Sequence, residues 1–277
     1  MSDIKYTSPL LKYTQYKNAI ISISPDGFTF SVHSPDVKHI LLFNHYKFNN
    51  LKLEDELLRK VGLIIQNEPL LKEKYMKVDV AFISQKSTLV PQEFFSKENL
   101  KKYFEFSQNL DEYDEIHFTH IPEIDAYSVF TLPNILSNEI FSIQPDVTFH
   151  NQSASLIQSG IKKKNKTSLS AVIGFNSDFF DLVIFQQNKL ALYNSFQYAN
   201  STDLIYFFLY ACQQLKIDHK DIVLTAFGEA INEKNLLKEL KKYVKEIEKP
   251  SITLPFEIKP LHKEDFVKFY LHSFLCV

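Results

Sequence analysis

Glycine is scarce. At average usage of roughly 7%, a chain of this length would carry about 19 glycines. This one has five, Gly27, Gly62, Gly160, Gly174 and Gly228, and no two share a short loop. A P-loop or a dinucleotide fingerprint needs several glycines in one turn, so that backbone N–H groups can close on phosphate without a Cβ in the way. Both are excluded. Arginine is scarcer still: Arg59 is the only one, which weighs against sites that grip phosphate or carboxylate with a guanidinium fork. Cysteine occurs twice, as Cys212 and Cys276, too few and too far apart for a disulfide framework or a zinc site. Cys212 falls on a buried-looking helix and Cys276 at the C-terminal end, so neither reads as a poised thiolate. No apolar run approaches the roughly 20 residues that span a bilayer. The opening "MSDIKYTSPLLKYTQYKN" has no signal-peptide core. The expectation is a cytoplasmic protein without membrane insertion.

What is present is an ordinary folded composition. Of 277 residues, 45% are hydrophobic and 23% charged, enough for one large domain or two lobes. The net charge of −2 supplies no global field to draw the chain to nucleic acid or acidic lipid. The one dense basic cluster, "IKKKNK" at 161–166, reads as a solvated loop.

The order of elements repeats. "AIISIS" alternates apolar and polar, Pro25-Asp26-Gly27 turns the chain, and "FTFSVH" alternates again. "VKHILLF" follows Ser34-Pro35-Asp36 as a third strand. Residues 52–66 carry Leu53, Leu57, Leu58, Val61 and Ile64 on one helix face, and "VDVAFIS" (78–84) is a short apolar strand. The second half repeats this with "LSAVIGF", "FFDLVIF" and "KLALYNSF", a helix from near Ser201, then "DIVLTAF" (221–227). A helix over 231–248 is expected from Leu236, Leu237, Leu240, Val244 and Ile247. The helix over 202–215 is apolar nearly all round, a pattern of burial on two sides or of a face that docks a partner. Between the halves, "PQEFFSKENLKKYFEF" reads as a helix with Ser96 as N-cap, "DEIHFTHI", "AYSVFTLP" and "DVTFHN" as strands, and "PNILSNEIF" as a short helix. "QSASLIQSGIKKK" reads as the passage into the second half.

Three strands, a helix and a strand, used twice, with "YSVFTLP" closing an insertion and "VLTAFGEAINEKNLLKEL" as a late strand-turn-helix, resemble the actin-like ATPase superfamily. The resemblance is to a bacterial domain-of-unknown-function family of that fold, similar in order to the PilM-like pilus-assembly proteins. It implies an α/β protein of two ribonuclease H-like lobes around a cleft. The first would span 1–167 with an insertion at about 87–131, and the second 168–277.

In nucleotide-binding members, the first hairpin carries an Asp-x-Gly pattern whose Asp orients Mg²⁺-bound water. The matching positions here are Ser22 and Ser24, with Asp26 displaced to the turn tip. A second Asp-x-Gly matches Val172 and Gly174, followed by Asn176, Ser177 and Asp178. The adenosine-side Gly-Gly reads Phe227-Gly228-Glu229. Val172 can neither ligate a hard cation nor accept a proton. The cleft candidates are therefore Ser24, Asp26, Gly174, Asn176, Asp178 and Gly228; Asp26, Asn176 and Asp178 also have an ordinary turn explanation, and Gly228 that of a strand end or close packing. The cleft is either open or filled by Phe28, Phe175 and Phe179. His117 and His120 with Glu115 and Glu123 suggest a metal cluster, but residues three apart on a strand face opposite sides. No catalytic triad order appears, so neither catalytic residues nor a metal site are assigned.

The favoured reading is a non-enzymatic, degenerate actin-like protein, a binding or assembly module with a protein partner or as a homodimer, needing no cofactor. The alternative is an active ATPase or kinase-like enzyme using ATP and Mg²⁺ with substituted ligands. Nucleic-acid chemistry would need clustered carboxylates where Ser22 and Val172 stand.

Overall fold

A computed structural model describes residues 4–34, 39–48, 51, 54–161, 168–228 and 234–248. The Pro35-Asp36 turn, the lysines of "IKKKNK", Glu229 and Cys276 lie outside the described residues.

In chain order the strands and helices are β1 (Ile4–Thr7), β2 (Asn18–Ser24), β3 (Gly27–Ser34), β4 (His39–Lys47), α1 (Glu54–Asn67), β5 (Lys77–Phe82) and β6 (Ser87–Pro91). Then come α2 (Leu100–Glu105), β7 (Asp114–Ile121), β8 (Ala126–Pro133), α3 (Asn134–Ile143), β9 (Val147–Asn151) and α4 (Gln152–Ile161). The remainder is β10 (Leu169–Phe175), β11 (Phe179–Gln186), β12 (Lys189–Gln197), α5 (Ser201–Gln214), β13 (Val223–Phe227), α6 (Lys234–Leu240) and β14 (Glu246–Glu248).

These strands form three sheets. The first runs β1-β4-β3-β2-β5-β9, the second β12-β11-β10-β13-β14 and the third β6-β8-β7. The expected repeat is present in the pairing. β2 lies antiparallel to β3 and parallel to β5, and β10 lies antiparallel to β11 and parallel to β13. The strands starting near 20 and 170 therefore occupy equivalent places in separate sheets. Alternation sets the faces: Ala19, Ile21 and Ile23 of β2 join Leu57, Val61 and Ile65 of α1 in one core. Ala171, Ile173 and Phe175 of β10 join Leu204, Phe208 and Ala211 of α5 in another. Each such aliphatic or aromatic side chain contributes roughly 1.5–3 kcal/mol when fully buried. Phe28 and Phe175 belong to these two cores.

Four expectations need correcting. The helix over 231–248 stops at Leu240, and residues 246–248 form β14, parallel to β13. The Lys245 N–H donates to the Ile222 carbonyl, so the chain gains a ladder partner that a continued helix would have lost. The helix expected across "PQEFFSKENLKKYFEF" is two 3₁₀ turns followed by the six-residue α2. Ser96 does not cap it, because its hydroxyl bonds the Glu98 carboxylate. α5 is buried on one side only, with Tyr206 60% and Tyr210 46% exposed. The passage "QSASLIQSGI" is the helix α4, in which every residue from Gln152 to Ile157 is buried.

Candidate functional site

Two hairpin tips meet. The Pro25-Asp26 turn of the first sheet reaches the Asn176-Ser177-Asp178 turn of the second. The Asp26 carboxylate accepts the Ser177 N–H at 2.9 Å and also the Ser177 hydroxyl. The first turn satisfies its own amides: Ser24 Oγ accepts from the N–H groups of Asp26 at 3.2 Å and Gly27 at 3.1 Å, and donates to the Gly27 carbonyl. That is the local bonding by which serine favours turns. The second turn is closed by the Asn176 N–H to the Phe179 carbonyl, while Tyr198 OH holds the Asn176 carbonyl at 2.8 Å.

The two glycines among the candidates face protein. A Cβ on Gly174 would lie 3.0 Å from both Cδ1 and Cδ2 of Leu156, on α4. Val172 shares that face and packs with Leu156, Ile157, Val183, Phe185 and Phe227 in an apolar cluster joining α4 to the second sheet. Gly228, just beyond β13, has φ +102°, and a Cβ there would sit 2.1 Å from the Phe175 carbonyl oxygen. Only glycine combines that backbone conformation with so close an approach. All six candidates thus gather at the tips: Ser24 and Asp26 in one hairpin, Gly174, Asn176 and Asp178 in and beside the other, and Gly228 against its first strand.

Beside the tips lies a cavity of about 280 Å³, lined by Pro25, Phe82, Lys86, Asp114, Asp178 and Phe179 among others. Lys86 is held by Asp114 at 2.7 Å and by Asp111. Burial alone would lower the ammonium's pKa, but hydrogen bonds and charge from Asp111 and Asp114 outweigh it and hold it raised. Among the described residues the one ammonium lining this cavity is therefore already neutralised.

One group escaped the reading of the sequence. Asp181 of β11 is fully buried and accepts from Ser195 Oγ, from Tyr193 OH at 3.1 Å and from Gln152 Nε2 at 3.3 Å. Burial pushes its carboxyl up to about 7, against the opposing pull of those three donors. Gln152 opens α4 and clamps the Ser84 backbone in both directions, and Tyr193 OH reaches Ser87 Oγ at 3.2 Å. The network ties β11, β12, α4 and the segment entering the third sheet. Its signal in the sequence was an acid inside "FFDLVIF".

The other polar candidates are dispersed. His117 sits 3.4 Å from Glu115 and packs on Phe149, whereas His120 bonds Gln92 and stacks on Tyr127. Cys212 is buried in the α5 core, where burial pushes its thiol up to about 11.

Residues 11–247 match the protein family described as "Protein of unknown function (DUF3822)". A Bacteroides thetaiotaomicron protein with actin-like ATPase fold and unknown function superposes with a TM-score of 0.80 at 21% identity. The match covers 88% of this chain and 95% of that one. The PilM-PilN type IV pilus biogenesis complex superposes at 0.56 with 11% identity, covering 94% of this chain and 96% of that one. At these identities the likeness establishes the fold, an actin-like ATPase architecture, as the resemblance implied. No curated protein matches the chain.

Proposed function

The chain belongs to the DUF3822 family, and from its fold and the geometry of its hairpin tips we propose that it is a non-catalytic binding or assembly module that uses no nucleotide. We take its lobes as residues 1–167, with the insertion at about 87–131, and 168–277. The observation that carries this reading is the Asp26–Ser177 contact, which occupies the place where two hairpins would hold phosphates between them.

The residues present do not fit a triphosphate with Mg²⁺. The amides of the first turn are bonded to Ser24, Leu156 lies over Gly174, and Val172 stands in an apolar cluster where a cation-orienting acid would be needed. Lys86, beside the tips, is matched by two carboxylates. The expected partner is a protein, in keeping with the PilM-PilN complex among its structural neighbours. The expected compartment is the cytoplasm. Among the described residues no helix is long and apolar enough to cross a membrane.

The alternative is an ATPase or kinase-like enzyme with substituted ligands, favoured by the cavity beside the tips. At about 280 Å³ it stands just under the lower end of the range for small-molecule sites, roughly 300–1,000 Å³. Thermal melting decides between the two. A ligand at a hundredfold excess over its Kd stabilises the folded state by about 2.7 kcal/mol, which at roughly 2–4 °C per kcal/mol raises Tm by about 5–10 °C. Millimolar ATP, ADP or GTP, with or without Mg²⁺, is expected to move Tm by no more than about 1 °C, within the scatter of that relation. A clear nucleotide-dependent rise would reject the module reading in favour of the enzyme.

A further inference from the structure

Sheet edges with unpaired backbone groups are templates for another strand, and proteins blunt them with shortness, proline, charge or cover. Among the described residues this chain blunts every edge but one. β1 has four residues and β14 three. β6 ends in Pro91. β7 and β9 lie against each other, with Thr119 Oγ1 donating to the Phe149 carbonyl. β12, the outer strand of the second sheet, has nine residues, and from Leu190 to Gln197 it contains no charge and no proline. At about 3.4 Å per residue it spans roughly 30 Å.

The surface beside this edge is aromatic. Phe196 of β12 stacks on Phe207 of α5 with ring centroids 4.9 Å apart. Tyr206 packs edge-on against Phe207 and stacks on Tyr210, and both tyrosines are exposed. A ladder of rings therefore runs from the sheet to solvent along the same margin.

We propose that β12 pairs antiparallel with the β12 of a second copy of this chain about a twofold axis, joining two five-stranded sheets into one and bringing the two α5 helices side by side. The edge is self-complementary. Antiparallel pairing sets Lys189 of one copy near the uncharged Gln197 end of the other, so no like charges oppose each other. An axis perpendicular to the sheet leaves both α5 helices on the same face, where Tyr206 and Tyr210 of the two copies meet. The single bulge of β12, between the partners of Ile184 and Phe185, lies at its N-terminal end and leaves the central residues in regular register. This assigns a partner to the module reading and rests on that reading only for the expectation that a partner exists. Its outcome is read in oligomeric state, whereas that reading is tested by nucleotide.

Asn194 is exposed and one residue from the strand's centre at Tyr193, so in such a pair it lies diagonal to its own symmetry mate; its Oδ1 accepts the Ser195 N–H at 3.0 Å, a bond that the incoming strand replaces. Light scattering and sedimentation velocity of the full chain at micromolar concentration are expected to show twice the mass of one chain. Asn194→Lys and Asn194→Glu each weaken that dimer at least about tenfold by setting like charges diagonally across the seam. Mixing the two variants restores it as a heterodimer. Tyr210→Glu, on the exposed face of α5, weakens the same dimer while the far-UV circular dichroism of the folded chain stays unchanged. A single-chain mass for the unmodified protein would overturn the proposal and leave the edge to a strand of another protein. A dimer indifferent to all three substitutions, or charge variants that fail to recombine, would overturn it equally.

Discussion

Gly174 separates the two readings of the hairpin most sharply, because each gives it a different neighbour. If the glycine serves packing, an alanine there presses its Cβ onto Leu156, 3.0 Å from both terminal methyls. Leu156 is fully buried among Ile157, Val172 and Val183, so it has little room to yield. Overpacking of this kind costs about 1–3 kcal/mol, offset in part by the roughly 0.4–1 kcal/mol that an alanine gains through a stiffer unfolded chain. Gly174→Ala should therefore lose about 1–2 kcal/mol. Leu156→Ala should lose about 2–5 kcal/mol as a buried leucine truncated to a cavity. With the leucine gone the added methyl enters empty space, so Gly174→Ala becomes neutral or stabilising in that background. The coupling between the two sites should then be about 1 kcal/mol or more, well beyond the roughly 0.3–0.5 kcal/mol scatter of independent sites. Urea unfolding of the four proteins of the cycle measures it. Additive losses would refute the packing role and return Gly174 to the list of ligand-facing positions.

Two further outcomes follow from a buried acid and a crowded glycine. Asp181 holds its proton in the folded state up to about pH 7, far above an unfolded aspartate near 3.9, so folding takes up a proton between those values. Stability contributed by the neutral form is thus lost as pH rises through that window, by up to about 1.4 kcal/mol per pH unit. His33, lowered to about 4 by burial, slopes the other way, so only the difference between the unmodified protein and Asp181→Asn isolates the carboxyl. That difference should grow in favour of the variant from pH 5 to 7 and then level off, and parallel curves would show that Asp181 is ionised throughout. Gly228→Ala places a methyl against the Phe175 backbone at φ +102° and should cost more than about 2 kcal/mol by chemical denaturation, whereas a loss under about 0.5 kcal/mol would contradict that contact.

The sheets were legible because strands with one buried face alternate and their turns carry Pro, Asp, Asn and Gly. Asp26 was legible as a turn residue for the same reason, whereas Ser24 read as the end of a strand, and its bonds to the Asp26 and Gly27 amides appear only once the turn is folded. α4 was not legible. Helical periodicity arises from one wet face, and a helix packed on nearly all sides with Ser153, Ala154 and Ser155 shows none, so it passed as a linker. Hydrogen bonds let those polar residues be buried: Ser153 pairs with Ser128 at 2.7 Å, and Gln152 with Asp181 and Ser84. Asp181 was missed because an acid inside an apolar run looks like an edge position until its three donors, 12 to 29 residues away, are placed around it. The helix over 231–248 failed because Leu236, Leu240 and Val244 keep a four-residue spacing that continues past the true helix end.

A helix enclosed by two sheets also couples their fluctuations. Leu156 cannot slide off Gly174 by degrees, because close-packed interiors rearrange between discrete arrangements rather than stretch. Local opening in such a protein proceeds in cooperative units that need not follow lobe boundaries. α4 belongs by sequence to the first half and by packing to the second, so its amides and those of β10 are expected to exchange as one unit when hydrogen exchange is measured.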